Sequence, residues 1–201
     1  MRPALVLAVS LLLVPVCVIT SAAALMKSCS DYAEVQKQLA AAGNGRDGQA
    51  LYARVGGYAA ADVAAHWGLL NHAGRVTERR FLRADMVYPL CYGGLLATAI
   101  LVGRRRAGRP IASPAAGAPV VTAVLADWTE NLVQLRQLDL FEHGGATALD
   151  PSWIAVASAA TSLKWASLVT CAVLLVWLAW RVAFGEDVRG ERGLMSDSRK
   201  L

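Results

Sequence analysis

Asp127-Trp128-Thr129-Glu130-Asn131 stands inside a largely apolar run that extends from Pro119 to Leu138. On a helix, Asp127, Glu130, Asn131, Gln134 and Leu138 fall at offsets of 0, 3, 4, 7 and 11, so they form one stripe, polar over at least two turns. Facing lipid, the aspartate alone would cost about 2.5–3.5 kcal/mol. The stripe must therefore turn towards other helices or towards water.

Composition says which solvent surrounds that helix. The chain has 201 residues, of which 56% are hydrophobic and 17% charged, and its mean hydropathy is positive. A soluble domain of this length carries roughly a quarter charged residues. The deficit points to a chain partly dissolved in lipid. The net charge of +5 does not read as nucleic-acid binding. Arg104, Arg105, Arg106 and Arg109 cluster beside an apolar segment, with no aromatic residue interleaved to stack on bases. Basic residues in that position set the orientation of a span. The four cysteines (Cys17, Cys29, Cys91 and Cys171) include no C-x-x-C pair, and no metal or cofactor motif is expected.

Working outward, four spans are expected, each able to cross roughly 30 Å of hydrocarbon. The first, residues 3–26, holds no charge. A cleaved secretory leader is its rival, since Ala22-Ala23-Ala24 offers a cleavage site. The long apolar run and the single n-region charge, Arg2, favour a retained helix. The second span covers 84–103 and the third 114–138, the latter surest after Pro119. The fourth, 153–184, ends in Trp177, Trp180 and Arg181, an aromatic belt with a snorkelling arginine.

The loop over 104–113 is basic, whereas 139–152 has no Lys or Arg and carries Asp139, Glu142 and Asp150. The positive-inside rule puts the first loop and both termini in the cytoplasm. The tail, 185–201, reads as disordered. The segment 27–83 then falls outside despite its own basic residues, which long loops tolerate. It predicts one helix over 31–42, capped by Ser30 and ended by Gly43, a turn over 44–48, and a second helix over 59–73 stopped by Gly74. Val63, Trp67 and Leu70 share a face of the latter. Thr77 is the expected cap of a helix leading into the second span. The segment is a cap packed on the bundle, a helix lying at the lipid surface, or a lid over an outward-opening site. His66 and His72 read as surface histidines. The fold class is thus all-α: a transmembrane four-helix bundle with a small helical extracytoplasmic segment between spans 1 and 2.

The fourth span supplies a counter-charge. Lys164 lies 11 residues after Trp153 and Asp127 lies 11 before Leu138, so both charges sit roughly 16 Å deep at 1.5 Å per residue. An Asp127–Lys164 pair is expected, with Thr161 on the lysine's face. In the second span Asp85 shares a face with Pro89 and Tyr92, and its expected partner is Arg136 or an arginine just before the span. Asp85, Tyr92, Asp127, Glu130, Asn131, Gln134 and Lys164 form the candidate intramembrane site.

Between about Tyr58 and Lys164 the chain resembles uncharacterised bacterial four-span membrane proteins that carry an Asp-x-x-x-Pro helix, here Asp85 to Pro89, followed by an Asp-x-x-Glu-Asn helix, here Asp127 to Asn131. The resemblance implies organisation and brings no activity with it. Three roles fit the pattern. The stripe could be structural glue, in a bundle that is itself a subunit of a homo- or hetero-oligomer. Its carboxylates could bind or move protons, a cation or a lipid headgroup. They could also act as acid–base groups or magnesium ligands of an enzyme working on a lipid or isoprenoid. For the structural role, Asp127→Asn combined with Lys164→Met should restore folding and function together.

Overall fold

The computed structural model describes residues 32–33, 35–41, 50–51, 54–110 and 114–184. The first expected span, the cap and stop of the first outer helix, the turn over 44–48 and the tail lie outside the described residues. The described chain is all-helical. Residues 32–33 and 35–41 are helical, and five helices follow: α1 (Ala60–Leu69), α2 (His72–Asp85), α3 (Tyr88–Arg106), α4 (Pro114–Gly144) and α5 (Pro151–Phe184). A short 3-10 turn, Gly145–Ala148, joins the last two.

Two helical rods are long and apolar enough to cross a membrane: the nearly continuous His72–Arg106, of 35 residues, and Pro151–Phe184, of 34. Only 17% of each apolar window is buried, so both rods present most of that apolar surface outward. Among the described residues, every exposed large hydrophobic side chain except Val55 lies between Val87 and Phe184. The helix expected as the third span is 31 residues long, yet its polar stripe leaves it less apolar than those two.

α4 and α5 pack antiparallel along their length, and α3 lies against both. Gly93 permits the close crossing of α3 and α4: a Cβ there would stand 2.6 Å from Val124 Cγ2. At the opposite end of α3, Gly103 abuts Leu178 of α5. Two apolar clusters result. The larger unites Val35, Leu39, Trp67, Leu70 and Leu82 with Leu138 and Ile154, so the chain before α3, the expected outer segment, packs on the ends of α4 and α5. The smaller joins Ile100, Val120, Cys171 and Leu178 near the basic loop. Beside it, the guanidinium carbons of Arg109 and Arg181 lie 5.8 and 5.6 Å from the centre of the Trp177 ring.

Several boundaries differ from the sequence reading. The outer helix stops at Leu69, and Gly74 lies within the next helix with an ordinary φ. The punctuation comes from Asn71, whose side chain accepts from the Gly74 N–H at 2.8 Å. An Asn side chain satisfies an otherwise orphaned first-turn donor, which starts α2 there and leaves Thr77 inside the helix rather than at its cap. α2 runs on into α3, interrupted only at Met86–Val87 before Pro89, which lacks the N–H to continue the ladder. α4 persists to Gly144, so the expected outer loop is shorter than 139–152. Pro119 is accommodated within α4.

Candidate functional site

The acidic stripe of α4 is turned inward. Asp127, Glu130, Asn131, Gln134 and Leu138 are all buried, while Val121, Leu125, Leu132 and Arg136 occupy the exposed face of the same helix. Lys164 of α5 reaches both acids. Its Nζ donates to Asp127 Oδ1 at 3.0 Å and to Glu130 Oε2 at 2.6 Å. The lysine is 7% exposed and the glutamate 0%, so water contributes little to this pairing. The expected Asp127–Lys164 pair is present, and Glu130 is the stronger partner by distance.

From that centre the hydrogen bonds run both ways. On one side, the Tyr92 hydroxyl of α3 lies 3.0 Å from Asp127 Oδ2 and 3.2 Å from the Ala123 carbonyl, either of which can take its proton. On the other, Gln134 Nε2 donates to Glu130 Oε1 at 3.0 Å and to the Tyr58 hydroxyl at 2.9 Å. The resulting seam, Tyr92–Asp127–Lys164–Glu130–Gln134–Tyr58, ties α3, α4, α5 and the outer segment together.

Asp85 does not meet Arg136. Its Oδ2 accepts from Asn131 Nδ2 at 3.0 Å. Arg136 falls on the opposite, exposed face of α4, because helical geometry sets it at right angles or more to the inward stripe. The interruption beside Asp85 is secured by Trp128, whose indole N–H donates to the Met86 carbonyl at 2.8 Å. Thus Trp128, within the quoted motif, satisfies a carbonyl that the helix break would otherwise orphan.

Tyr58 is the partner that the sequence reading did not include. The chain reverses at Val55-Gly56, Gly57 takes φ +78°, and the Tyr58 N–H donates to Ser158 Oγ of α5 at 2.8 Å. This close approach plants the ring over Gln134. Burial, and after it the Glu130 carboxylate, push the phenol well above its ordinary value, so it remains protonated. An aromatic residue following Gly-Gly was the one available signal, and it names no partner.

His66 is also not where expected. It is 0% exposed, with Nε2 3.3 Å from Oε1 of the buried Glu78. The contact joins α1 to α2 under the outer cluster, whereas His72 is exposed. Arg79 forks to Asp139 and Glu142, fastening α2 to the end of α4. No family model, curated protein or solved structure matches the chain. The role of the site therefore rests on its own geometry.

Proposed function

We propose that this chain is a multi-pass integral protein of the cell inner membrane, with both termini cytoplasmic, whose buried acid–lysine seam holds its helices in one register as a structural subunit of a membrane complex. The observation that carries this reading is the single ammonium shared by Asp127 and Glu130. Two carboxylates one helical turn apart accept one lysine only when α4 and α5 stand in one rotation and one vertical offset. The apolar outward faces of α3 and α5 support insertion, and the contrast between the arginines at 104–109 and the acids at 139, 142 and 150 supports the orientation. Intramembrane polar contacts yield only about 0.6 kcal/mol on average. The seam therefore contributes more to uniqueness than to stability.

Because Lys164 serves both acids, neutralising Asp127 and Lys164 alone would leave Glu130 stranded. The decisive variant is the triple Asp127→Asn, Glu130→Gln, Lys164→Met, measured by detergent-solubilised melting and by recovery of whatever complex the wild type enters. A structural seam predicts near-normal folding and assembly for the triple variant. A folded triple variant that fails to assemble or act sinks the purely structural role.

One observation favours proton or cation exchange as a second reading. Asp85, Asp127 and Glu130 bring three carboxyl groups towards a single lysine. A low-dielectric site does not keep such an excess of negative charge, so further protons or a cation would complete it. In that case the triple variant folds and is inactive.

A further inference from the structure

Away from the seam, a groove of about 470 Å³ opens between the outer end of α4 and the start of α5. It is lined by the apolar Leu132 and Val133 together with Arg136, Gln137, Asp150 and Trp153. We propose that this groove binds the headgroup of a zwitterionic, amine-bearing phospholipid of the phosphatidylethanolamine type.

Three features define the occupant. The first is a donor without a partner. Gln137 is 1% exposed, its Oε1 accepts from the Asp150 N–H at 2.9 Å, and its Nε2 has no partner among the described residues. A buried amide donor left open loses free energy unless an acceptor arrives. The second is charge complementarity. Arg136 is exposed and makes no ion pair among the described residues, and its fork suits a phosphate. Asp150 lines the same groove and spends Oδ1 on the N–H groups of Ser152 and Trp153, so Oδ2 can accept from an ammonium. A purely anionic headgroup would satisfy Arg136 and be repelled by Asp150, whereas phosphate and ammonium together satisfy both.

The third feature is continuity with a lipid-facing surface. Val121, Leu125 and Leu132 form an exposed apolar strip on α4 that leads to Arg136, and Trp153 is 55% exposed beside it. Acyl chains laid along that strip bring a headgroup to the level of the arginine and the tryptophan, where interfacial side chains are favoured. Gln137 stands two turns beyond Glu130 on the buried side of α4, whereas Leu132 and Arg136 lie on its exposed side, and no residue of the acid–lysine pairing lines the groove.

This proposal rests on the membrane-spanning reading, and the experiment separates the two. Membranes holding the full chain are first extracted with alkaline carbonate. The protein is then reconstituted with equal amounts of palmitoyl-oleoyl phosphatidylethanolamine and phosphatidylglycerol, released gently and weighed by native mass spectrometry. Retention of one phosphatidylethanolamine in preference to phosphatidylglycerol is expected. Arg136→Gln should reduce that retention roughly tenfold, as loss of a charge-assisted phosphate contact would. Asp150→Asn keeps a capping side chain and should equalise the two lipids. Equal binding of both lipids by the wild type, or wild-type retention by Arg136→Gln, overturns the headgroup site while leaving a carbonate-resistant protein a membrane protein. Release by carbonate overturns both readings.

Discussion

The segment around α1 and α2 and the long helices α3 to α5 distribute the same residue alphabet in opposite ways. Around α1 and α2 the apolar side chains go inward: Leu39, Val63, Trp67, Leu70 and Leu82 are buried, with Arg79 and Arg80 towards the periphery and the His66–Glu78 contact as the polar exception. Along α3, α4 and α5 the arrangement inverts. Leu95, Val121, Leu125, Val173 and Val176 point outward, and the charged seam lies inside. Burial of apolar surface from water drives the first arrangement. In the proposed membrane arrangement no such force acts between helices, so small-residue contacts and polar ties would choose their neighbours. Gly93, Gly103 and the Asp127–Lys164–Glu130 cluster are those choices.

The contrast can be broken most sharply at Lys164. Lys164→Met leaves two buried carboxylates without their cation and should destabilise the bundle by about 5 kcal/mol, at the upper end for breaking a buried pair. Loss of monodisperse protein in detergent is the expected result. A melting temperature equal to the wild type would show that the seam carries no weight.

Trp67→Ala tests the outer cluster. Removing this fully buried ring should cost about 3–4 kcal/mol through lost transfer free energy and a cavity. Proteolysis of the outer segment should accelerate while α4 and α5 remain protected. Equal loss of protection in both regions would show one cooperative unit rather than two.

Gly57→Ala addresses the joint between the regions. The residue has φ +78°, and a Cβ would stand 2.3 Å from Ser158 Oγ. A penalty of about 2 kcal/mol is expected from the left-handed backbone and the displaced hydroxyl. It should appear as faster amide exchange at Tyr58.

The smallest effect belongs to Asn71→Ala, which removes the cap of α2 and should cost about 1 kcal/mol. Asn71→Asp should retain most of that stability. Thr77→Ala should leave the melting temperature unchanged, since Thr77 lies within the helix.

Helical periodicity alone placed Asp127, Glu130, Asn131 and Gln134 on one inward stripe, and the price of a charge in lipid required that stripe to find partners. Lys164 was legible as the counter-charge because only one basic residue lies at comparable depth in the following apolar helix. These conclusions follow from local spacing and transfer energetics, which a linear chain displays in full. The sharing of Lys164 with Glu130, the choice of Asn131 by Asp85, the arrival of Tyr58 and the buried His66–Glu78 contact depend on helix rotation and on how the outer segment returns to α5. Those are set by packing between residues as far apart as Tyr58 and Ser158, and no local pattern encodes such a distance.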